Sequence, residues 1–292
     1  MDTSNKWIMK RILIFILIYI FQYNFVFSCT LWGCIGSSVV DGGLLIAKNR
    51  DWNENSKTTL RIISPIKGFK YLAMYGEGKE GGVKGGINEK GLVVFTATAS
   101  SVKKENRQSE GKGKVRMILS ECRSVDDVIK NQEKYLSGRT HFLIIGDNNE
   151  LACIEISPDN KVHIERKNNG TLYHTNHYLY SDFLSFNEMQ SESSLKRCNR
   201  VCNLLVSKTA MSLEDMIKIS DDKHDGMDNS IWRDGGLNSK TRTLMNMTVY
   251  IPLNGFPRVY IKSANKWEQE KAGELILNND FWNQDGTIEI KK

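Results

Sequence analysis

The chain has 292 residues, of which 40 are Lys or Arg and 34 are Asp or Glu, giving a formal charge of +6. That excess is mild, and without a Lys/Arg run or a basic stripe it leaves no electrostatic footprint for nucleic acid. Only four prolines, no obvious linker and no internal repeat favour one large domain, and six cysteines without dense regular spacing exclude a disulfide-stapled scaffold.

Lys6, Lys10 and Arg11 precede the apolar run Ile12 to Phe21, and the segment ends Val26-Phe27-Ser28. Basic, apolar and small-residue regions in that order read as a secretory signal over residues 1–28. The uninterrupted apolar run is well short of the roughly 20 residues that span a bilayer, although Tyr23 to Phe27 extends it and leaves an uncleaved anchor open. Cleavage after Ser28 makes Cys29 the mature N-terminus and leaves a domain over residues 29–292 that is secreted or periplasmic. A lipoprotein signal also ends in a small residue before Cys, so acylation of Cys29 is the rival outcome; bulky Phe27 counts against it.

Two apolar, β-branched-rich runs, Thr30 to Val40 and Leu44 to Ala47, flank the turn formers Asp41-Gly42-Gly43, the signal of a β-hairpin. Its return brings Lys48-Asn49-Arg50-Asp51 back to Cys29. A cysteine with a free α-amine beside a cation and a carboxylate has the parts for nucleophilic amide chemistry: a thiol, a built-in base, and groups that set both pKa values.

Beyond the hairpin, Arg61 to Ser64 and Tyr71 to Met74 are strand-like, and Glu77 to Gly86 reads as a Gly/Lys-rich loop without the spacing of a phosphate cradle. Gly86 to Gly91 forms a turn into the strand Leu92 to Ala97, and Ser101 to Lys114 reads as a polar surface loop. Helical spacing follows over Val115 to Cys122 and Val125 to Leu136, the latter behind a Ser124 N-cap. Strands over Thr140 to Gly146, Leu151 to Ile156 and Lys161 to Glu165 form an antiparallel meander. After Leu172 to Tyr180 come helices near Ser194 to Val206 and from Leu213 behind Ser212-x-x-Asp215. Late strands Arg242 to Ile251 and Arg258 to Lys262 precede a last helix expected over Lys266 to Leu277. The pattern predicts an α+β layered fold, two sheets sandwiched between helices.

Other constellations carry less. His141, His174, His177 and the scattered cysteines fit no closed zinc set, so no metal or cofactor is expected. The acidic loop Asp221, Asp222, Asp225 and Asp228 lacks the calcium-loop pattern. Asn169 and Asn246 are glycosylation acceptors only in a eukaryotic host.

CTLWG at the mature start, GGLLIAKNRDW, GGINEKGL, THFLIIGD, HTNHY and SLKRCNRV occur in an order that resembles the cysteine-type N-terminal nucleophile hydrolases. Within them the chain is most similar to the isopenicillin N acyltransferase and carcinine hydrolase-like family, related to bile salt hydrolases and penicillin V acylases. The resemblance implies an αββα four-layer sandwich and cleavage or transfer at linear amide bonds of small-molecule substrates. It also implies roles. Cys29 matches the nucleophile, whose thiol (pKa about 8.5) can lose its proton to an α-amine titrating at about 8. Asp51 matches the acid that holds the α-amine, and Asn176 the oxyanion residue. Arg197 matches a supporting arginine, with Arg200 one turn away as the alternative. Lys48 stands where bile salt hydrolases have Arg, keeping the charge without the bidentate fork. Thr98 stands where they carry Asn, with a shorter reach toward substrate or oxyanion. Two other classes stay open: a lipid-anchored binding protein acylated on Cys29, and a Cys-His protease pairing Cys29 or Cys34 with His141 or His177.

Overall fold

The computed structural model describes residues 28–78, 81–236 and 239–290, so the secretory-signal reading falls, apart from Ser28, outside the described residues. Two antiparallel sheets face each other. The first is built from β1 (Cys29–Ile35), β2 (Leu44–Asn53), β10 (Gly170–His174), β11 (Thr241–Ile251), β12 (Arg258–Ser263) and β13 (Lys271–Ile276), in the order β10-β1-β2-β11-β12-β13. The second runs β14-β3-β4-β5-β6-β7-β8-β9, where β3 is Thr58–Ile63, β4 Tyr71–Gly76, β5 Gly82–Asn88, β6 Val93–Thr98, β7 His141–Gly146, β8 Leu151–Ile156, β9 Val162–Lys167 and β14 Gly286–Thr287.

The strand pleat explains why two sheets need helices on their outer faces. Along β1 and β2, Leu31, Ile35, Leu44 and Ile46 enter the core between the sheets, joined there by Phe95, Phe142, Met247 and Ile261. Their neighbours Trp32, Cys34, Leu45 and Ala47 point the other way, as period-two alternation requires, and pack on α4 (Glu192–Val206) and α5 (Leu213–Ser220) through Val201, Leu205 and Met216. With apolar residues on both faces, β1 is buried throughout and β2 is buried from Leu44 to Asp51. The outer face of the second sheet is covered in the same way by α1 (Lys114–Glu121), α2 (Val125–Lys130) and the short α3 (Gln132–Tyr135), through Ile118, Leu119, Val125 and Val128. The result is the helix-sheet-sheet-helix layering expected from the sequence.

Helix starts follow local chemistry. Ser124 Oγ accepts from Asp127 N, and Ser212 and Asp215 form a reciprocal capping box at α5. A further short helix, α6 (Gly226–Asn229), lies in the segment between α5 and β11.

Three expectations change. Strand β1 ends at Ile35, a 3-10 turn occupies Gly36–Ser38, and β2 extends to Asn53, so Lys48 to Asp51 lie inside a central strand and not beyond a hairpin end. Gly82–Asn88, expected as loop, is strand β5: its glycines permit close strand approach, since a Cβ on Gly86 would fall 2.0 Å from the Leu72 carbonyl oxygen. The helix expected over Lys266 to Leu277 is instead edge strand β13, paired with β12 from Lys271↔Ser263 to Ile276↔Arg258. Gly273 disfavours a helix there, and a free edge beside β12 supplies the backbone partners. Among the described residues no helix is long and apolar enough to cross a membrane.

Candidate active site

Pairing of β1 with β2 sets the site. Cys29 is opposite Arg50, Thr30 opposite Asn49 and Leu31 opposite Lys48, which places Asp51 beside the start of β1. Because side chains alternate, Cys29 and Lys48 turn toward the space between the sheets, while Asn49 turns to the helix layer and donates to the carbonyls of Ser220 and Ile231.

Cys29 is 5% exposed. Its backbone N–H donates to Asn176 Oδ1 at 2.8 Å, and its carbonyl accepts from Arg197 Nη1 at 2.8 Å. Arg197 also donates to Thr30 Oγ1 (2.7 Å), to Asn176 Oδ1 (3.1 Å) and to Ser28 Oγ. Asn176 is held in turn: its N–H donates to Ser194 Oγ and its Nδ2 to the Thr98 carbonyl at 2.8 Å. Arg197 rises from α4 fully buried, whereas Arg200 pairs with Asp222 at 2.7 Å away from the cysteine. Thr98 joins through its carbonyl; Val93, Phe95 and Ala97 of the same strand face the inter-sheet core, so the Thr98 hydroxyl is on the opposite face.

Asp51 has no exposed surface. Its Oδ1 accepts from Thr243 Oγ1 at 2.8 Å, and its Oδ2 has no hydrogen-bond partner. Arg233 Nη1 stands 4.0 Å from that oxygen, and Arg233 Nε and Nη1 are themselves buried without a hydrogen-bond partner. Burial pushes the Asp51 carboxyl above the usual carboxylate range, against the pull of Arg197 and Arg233. Lys48, also buried, donates from Nζ to the carbonyls of Lys84 and Thr96, both at 2.6 Å. Desolvation brings its ammonium down to about 8, with Cys29 and Asp51 pulling the other way. Cys29 likewise attracts Arg197 and Arg233, so three buried cations surround the thiol and the carboxylate.

Two groups escaped the sequence. Arg233 carried one weak signal, a cation directly after the apolar pair Ile231-Trp232, in a stretch the fold buries. The second is Glu155, which accepts from His174 Nε2 at 2.9 Å and from the N–H groups of Leu179 and Tyr180, tying down the strap that carries Asn176. Its carboxyl is held below the usual range: burial opposes this, but the His174 hydrogen bond and charge outweigh it.

The histidines do not serve the cysteines. His141 Nδ1 meets the Arg139 carbonyl and His177 Nδ1 meets Ser194 Oγ; burial lowers them to about 3 and about 4. Cys34 faces the helix layer, its thiol pushed up to about 12 by burial. Among the described residues all six cysteines are free, and no group of three or more His, Cys, Asp or Glu is placed to hold a metal ion.

Comparison with known proteins agrees with this architecture. The fold is similar to that of penicillin V acylase from Agrobacterium tumefaciens, with TM-score 0.56 and 14% identity over 85% of this chain and 86% of that one. It is also similar to a variant of conjugated bile acid hydrolase from Clostridium perfringens, with TM-score 0.61 and 15% identity over 90% of this chain and 98% of that one. No curated protein sequence matches. The sequence profile of the acyl-coenzyme A:6-aminopenicillanic acid acyl-transferase family covers residues 39–266. The chain therefore belongs to that family of N-terminal nucleophile enzymes, which hydrolyse or transfer acyl groups at linear amide bonds.

Proposed function

We propose that the protein is exported, loses residues 1–28, and as a mature enzyme beginning at Cys29 cleaves small N-acyl amides through a thioester on that residue. The observation that carries this reading is the Asp51 Oδ2 that accepts no hydrogen bond, buried beside the start of β1 where the freed α-amine of Cys29 would lie. A buried, unsatisfied carboxylate oxygen is costly unless a donor arrives. The α-amine supplies a donor, and the ammonium it becomes on taking the Cys29 proton adds the charge that would draw Asp51 back toward its ionised form.

The chemistry then needs no other base. The α-amine takes the Cys29 proton, and Sγ attacks the substrate carbonyl carbon. One N–H of Asn176 Nδ2 is engaged by Thr98; the second, which has no acceptor among the described residues, would meet the oxyanion. Collapse breaks the C–N bond as the α-ammonium protonates the departing amine. Water, or a second amine in the transferase case, attacks the thioester and restores the thiol. Arg197 and Arg233 hold the local positive field in which thiolate and Asp51 coexist. Burial of Cys29 in a central strand, and the engagement of every candidate histidine elsewhere, support this over lipid anchoring and over a Cys-His pair.

Intact-mass spectrometry of the mature protein, quenched in acid during turnover of an amide panel, tests the reading. One acyl increment is expected, mapped to Cys29 and released by hydroxylamine. A lipid adduct on Cys29, or an acyl group elsewhere, would reject it.

A further inference from the structure

Glu155 and His174 join the two sheets where β10 gives way to the strap that carries Asn176. Along β8, Leu151 and Cys153 enter the core between the sheets, and alternation puts Glu155 on their face. His174 ends β10 opposite Leu31, itself an inter-sheet residue, and its ring lies 4.2 Å from that of Phe142. The two side chains meet across the sandwich, 3% and 1% exposed.

The carboxylate closes a loop. Glu155 Oε1 accepts from His174 Nε2 at 2.9 Å on one side, and from Leu179 N at 2.7 Å and Tyr180 N at 3.3 Å on the other. The strap thus leaves and returns at one carboxylate, with Asn176 between. Within it, Asn176 N donates to Ser194 Oγ, its carbonyl accepts from Ser101 N, and its Nδ2 reaches the Thr98 carbonyl of β6. Cys29 belongs to the first sheet, Glu155 and Thr98 to the second. The separation of the thiol from Asn176 Nδ2 is therefore set by contacts that cross between the sheets.

The state of His174 follows from its partners. Nε2 faces Glu155 Oε1, and Nδ1 faces the Thr175 carbonyl at 3.1 Å; both are acceptors. A neutral imidazole has one N–H, so this geometry calls for a proton on each ring nitrogen. The surrounding groups bring no rival charge. Burial pushes the Cys153 and Cys198 thiols up and brings His177 down to about 4. Glu165 pairs with Lys167, and His163 stacks on the Tyr180 ring at 3.5 Å.

We propose that His174 is a buried imidazolium whose ion pair with Glu155 sets the position of Asn176, making both positioning residues for the acylation step. The inference rests on the proposed function for the role of Asn176, but one arm of its test reads no turnover.

Nitrogen NMR of the purified protein, labelled in histidine and asparagine and with its start verified by mass, is the first arm. His174 should show a proton on both ring nitrogens, and Glu155→Gln should move or broaden the Asn176 side-chain amide resonance. Kinetics are the second. Glu155→Gln should lower kcat by roughly tenfold to a hundredfold, the range a misplaced or lost oxyanion donor gives, with KM little changed. In an Asn176→Ala background the same substitution should cost less than about twofold more, because its effect runs through Asn176. Should Glu155→Gln not fold, Glu155→Asp, which keeps the charge but withdraws it, should behave in the same way. A His174 ring nitrogen without a proton, an Asn176 resonance indifferent to Glu155, or equal losses of kcat in both backgrounds overturns the proposal. If the wild-type protein turns over no amide, the NMR arm still decides, and the failure counts against the proposed function alone.

Discussion

Replacing Asp51 with Asn separates charge from shape at the point where the mechanism depends on charge. The amide can still accept from Thr243 Oγ1, now 2.8 Å away, and occupies nearly the same buried volume. What disappears is a negative charge 4.0 Å from Arg233 Nη1 and, in the proposed mature enzyme, beside the α-amine. At that separation and an effective dielectric constant of about 20, one such pair interacts by about 4 kcal/mol before desolvation is subtracted. If two to four of those kcal/mol act on the protonated α-amine that forms as the thiol is activated, kcat should fall by roughly 30- to 1,000-fold. KM should change less, because Asp51 contacts Thr243 and Arg233 in the interior and no surface open to substrate. The same substitution strands a buried guanidinium, which typically costs about 3 kcal/mol of stability. A double variant, Asp51→Asn with Arg233→Met, should recover much of that stability without recovering turnover. The assay is steady-state hydrolysis by protein verified to begin at Cys29, alongside urea unfolding of the same preparations. Near-normal turnover by Asp51→Asn, or turnover rescued in the double variant, would refute the reasoning, since the charge would then be structural only.

Asn176→Ala should lower kcat by about a hundredfold, the usual effect of losing one oxyanion donor, with little change in substrate affinity; a pure KM effect would place Asn176 in substrate binding. Lys48 gives a pH signature. Its folded pKa of about 8 lies below the 10.5 of the unfolded chain, so between these values the unfolded state binds the extra proton and wild-type stability should rise with pH. Across pH 8 to 10.5 the gain is at most about 3 kcal/mol. In Lys48→Met that rise should be missing from the unfolding free energy measured against pH, and an identical curve for both proteins would show that Lys48 is not desolvated as described.

The hairpin that returns Asp51 to Cys29 was legible because its signals are local: the Asp41-Gly42-Gly43 turn and the apolar runs around it. Central strands such as β1 were legible as apolar stretches, though not where they stop, since the 3-10 turn over Gly36–Ser38 buries no residue and leaves no apolar pattern to read. Arg197 and Arg200 could not be separated by periodicity. Three residues apart, they lie within about 60° of each other around the helix, and only burial against Cys29 and Thr30 distinguishes them. Arg233 was invisible for a different reason: its place beside Asp51 is created by antiparallel pairing of β2 with β11, where Asp51 meets Thr243 and Thr243 bonds the Arg233 main chain. The same limit explains β13. Its exposed, weakly patterned sequence is a strand because β12 offers an edge, a tertiary fact that no local propensity contains.

The central claim is that the α-amine of Cys29 is the base, and it is tested most directly by comparing two proteins that differ only in their start. One begins at Cys29; the other keeps Ser28 and an uncleavable extension, with Cys29 intact and the absence of processing verified by mass. The first should turn over amide substrate, and the second should be folded but inactive, because an amide nitrogen stands where the base is required. Equal turnover by the extended protein would contradict the account.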